Sequence, residues 1–141
     1  MILVDASGIL AALDSGERHH RAALEVLKGR GSRLLSPMIL AELDYLLAAR
    51  AGGRAQRAFL QDVADGVYRL EPFTADDVRE ALTILDQYRD LDLGLADASV
   101  VVLARRHDTL DLLTLDERHF RAVLGPGGRP FRILPADATA A

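Results

Sequence analysis

The chain of 141 residues has no cysteine, no tryptophan and a single lysine, Lys28, among its 17 basic residues. Without thiols there are no disulfides, no thiolate zinc or iron–sulfur sites and no cysteine nucleophile. Any metal must then sit on oxygen or imidazole. No apolar run approaches the roughly 20 residues a helix needs to span a bilayer. The opening MILVD is far too short for the apolar region of a secretory signal. These absences give the expectation of a soluble, cytoplasmic domain with no membrane partner. The net charge of −4 argues against broad attraction to nucleic acid. Sixteen of the basic residues are arginine, however, which forks onto phosphate, so local patches stay open to a polyanion.

Strand and helix patterns alternate along the chain. Ile2 to Val4 reads as a strand, and Ile9 to Leu13 as a short helix that Ser7 can cap. HHRAALEVLKG places Ala23, Leu24 and Leu27 on one helical stripe and stops at glycines. Arg33 to Leu35 is a strand, followed by a strong helix start with Ser36 as N-cap and Pro37 at the first helical position. RAQRAFLQDVADG predicts a helix and VYRLEPF a strand. Thr74 then caps a helix with Val78, Leu82 and Leu85 on its apolar face. A helix from about Ala96 to Arg106, a strand at DLLTL, a short helix near ERHFRAVL and a strand at FRIL complete the pattern. The expected fold class is α/β, with a mostly parallel central sheet flanked by helices on both faces and ligands held outside the carboxyl ends of the strands. Residues 1–135 form one domain, and the small, polar tail 136–141 is expected to be disordered.

Four acids stand where a solvated face explains them poorly. Asp5 ends the first strand; Glu42 lies beside Met38, Ile39, Tyr45 and Leu46 in helical spacing; Asp97 opens a helix one turn before Val100 and Val101; Asp116 follows a strand. Each has a structural alternative: capping for Asp97, a turn for Asp116, a solvent-facing role for Glu42 or Asp44. Carboxylates that converge repel one another and hold their protons unless a cation neutralises them, so a converging set implies a hard divalent ion.

In the order ILVDAS, SPMILAELDYLL, GLADASVVVLA and LLTLDERHF, these segments resemble the PIN-domain ribonucleases, specifically the VapC-type toxins of VapBC toxin–antitoxin pairs. The resemblance runs from Met1 to about Leu134. It implies a PIN-domain-like fold, an endoribonuclease dependent on Mg²⁺ (or Mn²⁺), a homodimer, and neutralisation by a cognate VapB-type antitoxin. Asp5 and Asp97 are the implied direct ligands, with Glu42 and Asp116 acting through water or on a second ion.

Such a site cuts a phosphodiester with metal-activated water, Glu42 accepting the proton, and leaves a 5′-phosphate and a 3′-hydroxyl. Ser7 and Thr114, each two residues from a proposed ligand, are expected to support the carboxylates, with turn capping the equal alternative. Arg50, Arg54, Arg57, Arg118 and Arg121 are candidate RNA contacts, though a solvated helix face is the commoner role for such residues. His19, His20, His107 and His119 show no metal-ligand spacing and read as surface residues. Three other readings compete. A histidine-based ribonuclease would ignore EDTA. A haloacid-dehalogenase-like phosphatase would want an acid where Ser7 stands. A metal-stabilised module would bind RNA or protein without cutting.

Overall fold

The computed structural model describes residues 1–138. Five parallel strands, β1 (Ile2–Val4), β2 (Arg33–Leu35), β3 (Arg69–Leu70), β4 (Asp111–Leu113) and β5 (Arg132–Leu134), lie in the order β3-β2-β1-β4-β5. Consecutive strand residues point to opposite faces of a sheet. Leu3 and Val4, Leu34 and Leu35, and Leu112 and Leu113 are nevertheless all buried, so helices cover both faces as expected.

The chain builds outward from β1 to β2 and β3, then returns to place β4 on the other side of β1. Between β1 and β4 the order reverses, and the crevice beyond their carboxyl ends is the place where open α/β sheets hold ligands. Register makes this specific. Leu3 pairs with Leu112 and Val4 with Leu113, so Asp5 and Thr114 leave the sheet side by side.

Seven helices connect the strands: α1 (Ala6–Leu13), α2 (His20–Leu27), α3 (Pro37–Ala51), α4 (Gly53–Ala64), α5 (Ala75–Gln87), α6 (Leu95–His107) and α7 (Glu117–Phe120). Helix α3 starts as its sequence predicts, with Ser36 at the N-cap accepting from the Met38 N–H at 3.1 Å. The Ser99 hydroxyl donates to the Ala96 carbonyl and lies 2.6 Å from the Ser36 hydroxyl, which ties the first turns of α3 and α6 together. Residues 98 to 104 of α6 are buried without a break, so this helix runs through the core. At the sheet edge, buried Glu71 is held by His107 at the end of α6 and by Arg69 at 3.2 Å.

Several expectations needed correction. Helix α1 begins at Ala6 with Asp5 at its N-cap position, so Ser7 lies inside the first turn rather than capping the helix. The strand expected over VYRLEPF is only Arg69–Leu70, because Tyr68 turns inward against Phe59, ring centroids 5.2 Å apart. On α5 the buried residues are Ala81 and Ile84, leaving Val78 and Leu82 46% and 57% exposed. The apolar stripe read from the sequence therefore lies largely outside the core. Within the segment read as a tail, Asp137 accepts from the Ile133 N–H at 2.8 Å and pairs with Arg121. The last residues of that segment, 139–141, lie outside the described residues.

Candidate metal centre

Asp5 follows β1 directly and is only 6% exposed. Its side chain makes no cap bond to α1. Instead Oδ2 accepts from the Thr114 hydroxyl at 2.7 Å and the Ser7 hydroxyl at 3.2 Å. The Ser7 oxygen accepts from the Leu115 N–H and the Thr114 oxygen from the Asp116 N–H, at 2.9 and 3.0 Å. The two hydroxyls thus perform both roles that the sequence left open, supporting a carboxylate and shaping the turn after β4. Burial, opposed by the Thr114 bond and reinforced by the nearby charge of Asp97, pushes the Asp5 carboxyl from 3.8 up to about 6.

Asp97 stands in the first turn of α6, where Oδ2 accepts the Gly94 N–H at 3.3 Å. Burial also raises its carboxyl, against the lowering effect of that backbone bond and of His119. Asp116 caps α7: Oδ1 accepts from the His119 N–H at 3.1 Å and Oδ2 lies 2.7 Å from His119 Nδ1. Glu42 differs in placement. The buried stripe of α3 is Ile39, Leu43 and Leu47, with Tyr45 72% exposed, so Glu42 does not sit on the apolar face its spacing implied. Its side chain is exposed to solvent, yet partial burial and the charge of Asp97 still raise its carboxyl.

His119 was missed in the sequence. Asp97, Asp116 and His119 each offer a ligand atom, all within 4.8 Å of one another. Asp116 raises the imidazole's proton affinity by accepting its hydrogen bond. The available signal was the i, i+3 spacing of Asp116 and His119 across one turn of DERHF, which puts both on one helical face. Histidine spacing considered apart from the acids does not reveal it.

Among the described residues, no lysine or arginine forms an ion pair with Asp5, Glu42, Asp97 or Asp116; His119 on Asp116 is their sole cationic neighbour. Three of these four carboxyls are raised and two feel the charge of Asp97 directly. Oxygen donors left mutually repelling suit a hard divalent cation. Of the candidate arginines, Arg121 is engaged by Glu117 and Asp137, whereas Arg50, Arg54, Arg57 and Arg118 are exposed and outside every ion pair among the described residues.

Comparison with known proteins agrees with this arrangement. The model of the family described as PIN domain matches residues 2–124. Ribonuclease VapC26 of Mycobacterium tuberculosis is 40% identical over 135 residues, spanning 95% of this chain and 100% of that protein. Among solved structures, VapC20 of the same organism, described as a Sarcin-Ricin loop cleaving toxin, aligns with a TM-score of 0.76 at 26% identity, covering 82% of this chain and 90% of that one. VapBC2 from Rickettsia felis, crystallised with a DNA fragment from its promoter, shares the fold at a TM-score of 0.65 and 19% identity, covering 94% and 98%. With its strand order, its acids at the β1/β4 crevice and a family match over most of its length, the chain belongs to the PIN-domain family, beside the VapC toxins.

Proposed function

We propose that the protein is a VapC-type toxin, a divalent-metal-dependent endoribonuclease neutralised by a cognate antitoxin. The observation that carries this reading is the convergence of Asp5, Asp97 and Asp116 at the β1/β4 crevice, where the carboxyls of Asp5 and Asp97 are raised and, among the described residues, none of the three has an arginine or lysine partner. Similarity to Ribonuclease VapC26 supports the choice of RNA as substrate.

Asp5 and Asp97 would hold Mg²⁺ or Mn²⁺ directly, with Asp116 and Glu42 completing the site. When bound, the ion supplies charge neutralisation at the phosphate and activation of water. Everything else falls to the chain. Ser7 and Thr114 fix the orientation of the Asp5 carboxylate by their bonds to Oδ2. His119 holds Asp116 through Oδ2 and so fixes its rotamer. Glu42, solvent-accessible and with its carboxyl raised by partial burial and the charge of Asp97, would accept a proton from the attacking water. Arg50, Arg54, Arg57 and Arg118 remain available for the RNA backbone.

Two partners belong to this reading. A groove of about 410 Å³ between α1, α3 and α4, walled by Leu10, Leu13, Leu47 and Phe59 with Arg50 and Asp62 at its rim, suits an amphipathic antitoxin helix. Exposed Tyr45, Val78, Leu82 and Leu95 lie on α3, α5 and α6, of which α3 and α5 each pack on α6, and support a homodimer. No helix among the described residues is long and apolar enough to cross a membrane, in keeping with action in the cytoplasm.

The test is cleavage of single-stranded RNA by the purified chain with Mg²⁺ and with EDTA, alongside Asp97→Asn. Cutting that needs the metal, leaves 5′-phosphate ends and disappears in the variant is expected. Cutting that persists in EDTA, or RNA binding with no cutting at all, would overturn the reading.

A further inference from the structure

A second cavity, of about 190 Å³, opens beside the acids between the start of α2 and the turns after β4 and β5. His19, Ala22, Leu115 and Pro135 form its walls, Thr114 its inner end and Glu117 a polar edge. Thr114 is the residue whose hydroxyl holds Asp5, so the cavity abuts the proposed catalytic centre.

Its size and lining restrict what it can take. Sites for drug-sized ligands begin at roughly 300 Å³, so this space suits one planar ring system rather than a whole nucleotide. An imidazole, a proline ring and aliphatic side chains provide surfaces on which an unstacked base can rest. Glu117 adds direction. Arg121 Nε donates to Oε1 at 2.7 Å, its Nη2 lies 2.6 Å from the same oxygen, and the guanidinium donates in turn to both oxygens of Asp137. Oε2 is not used in these bonds, so the Glu117 carboxylate, a residue of the cavity lining, keeps an acceptor-only oxygen free. Basic residues adjoin the lining in sequence: Arg18 and Arg21 stand next to His19 and Ala22, Arg118 follows Glu117, and all three are exposed with no ion-pair partner among the described residues.

Resting on the ribonuclease reading above, we infer that this cavity receives one unpaired nucleobase next to the cut phosphodiester, with Glu117 selecting a base that presents an amino group and Arg18, Arg21 and Arg118 meeting the flanking phosphates. Cytosine, adenine and guanine carry such an exocyclic amino group; uracil offers only its ring N3–H, flanked by two carbonyl oxygens that the carboxylate repels. Arg121 then acts as a positioning residue that holds Glu117, rather than as a contact to RNA.

The experiment measures binding apart from cutting. The Asp97→Asn protein is titrated with RNA hairpins carrying each of the four bases, or an abasic residue, at successive loop positions. At one position an amino-bearing base should bind about tenfold tighter than uracil or the abasic residue, the scale expected for one stacked and hydrogen-bonded base. Ala22→Trp, which fills the cavity from an exposed helix position, should erase that difference while leaving abasic binding unchanged; made alone in the wild-type chain, it should leave the response of the melting temperature to Mn²⁺ as in wild type. Glu117→Gln, which turns a donor toward the cavity, should shift the preference to uracil. If Ala22→Trp keeps the parent's preference, or weakens only antitoxin binding, the cavity is no base site and the inference fails. If the preference is present but the wild-type protein with Mg²⁺ cuts none of these hairpins, the inference stands and the ribonuclease reading falls.

Discussion

The Thr114 hydroxyl donates to Oδ2 of Asp5 at 2.7 Å across 109 positions of sequence. Parallel pairing of β1 with β4 brings the two residues to the same rim of the sheet. The same hydroxyl accepts from the Asp116 N–H, so one side chain aligns two acids of the proposed centre. Thr114→Val keeps the volume and removes the hydroxyl, and should weaken Mn²⁺ binding by about 10- to 100-fold, the usual cost of losing a supporting partner. Thr114→Ser should restore most of it. Calorimetric titration with Mn²⁺ decides; equal affinities for the valine variant would reduce Thr114 to a turn residue.

Asp5 carries a stability signature of its own. Its folded carboxyl titrates near 6 and its unfolded one near 3.8, so between these values the folded state binds more protons than the unfolded state. Stability in EDTA should therefore fall as pH rises through that window, by about 3 kcal/mol at most if Asp5 acted alone. Asp5→Asn removes the titration and should melt higher than wild type in EDTA at pH 7.5. Above pH 7, added Mn²⁺ should reverse the order, because only the wild-type protein gains from tight binding. Thermal denaturation across pH 4 to 8 tests this; a wild-type profile parallel to that of Asp5→Asn would mean that Asp5 is not held raised.

Close approach of α1 to β4 sets the same geometry. A Cβ on Gly8 would lie 2.5 Å from the Leu113 carbonyl oxygen and 2.7 Å from its Cγ. Backbone cannot yield as a flexible side-chain tip does, so Gly8→Ala must push α1 off the strand. A loss of about 1–3 kcal/mol is expected from such overpacking, together with weaker Mn²⁺ binding, since Ser7 would lift away from Leu115 and Asp5. Urea denaturation and metal titration measure the two effects. A stable variant with unchanged metal affinity would show that the helix has room to adjust.

The apolar residues left outside the core on α5 bear on assembly. Val78 and Leu82 lie one turn apart and are about half exposed, on the part of α5 whose Asp77 and Glu80 pair with Arg106 and Arg105 at the end of α6. Leu82→Arg should convert a dimer to a monomer at micromolar concentration with little change in monomer stability, because the side chain contributes little to the monomer's own core. Light scattering reads the mass directly. A wild-type monomer, or a variant that remains dimeric, would remove this surface from the interface.

These residues also mark where sequence reading reaches its limit. Most strand positions, the Ser36–Pro37 start and the places of Asp5 and Asp116 after strands were legible because each is signalled locally, by apolar runs, cap residues or an acid at the end of a strand. The face that α5 buries was not legible. Val78, Leu82 and Leu85 repeat at helical spacing, but so do Ala81 and Ile84, and only packing against α6 selects the second set. Glu42 misled for a related reason, since α3 is apolar on more than its core-facing side. His119 was overlooked because its meaning comes from Asp97, brought close by the fold from 22 positions away.

The last prediction joins the groove to the acids. Leu10 and Leu13 line the groove from α1, the helix whose N-cap position is Asp5, so a segment laid in the groove has a short path to the acidic centre. Carboxylates that lack cationic partners attract a guanidinium for the reason that they attract a divalent ion, and a bidentate arginine competes for the same oxygens. Apolar burial and inhibition should then be separable. Leu13, 48% exposed at the groove, can be changed to glutamate without opening the core; Leu13→Glu should weaken the antitoxin complex about tenfold or more while leaving the free toxin's cleavage intact. Replacing one basic residue of the antitoxin by alanine should do the converse, restoring cleavage more than it weakens binding. Both are read by expressing the chain with its genomic neighbour and measuring affinity and cleavage for each variant. If every antitoxin substitution that restores cleavage also lowers affinity in proportion, inhibition comes from blocking RNA access, and no basic side chain enters the acidic centre.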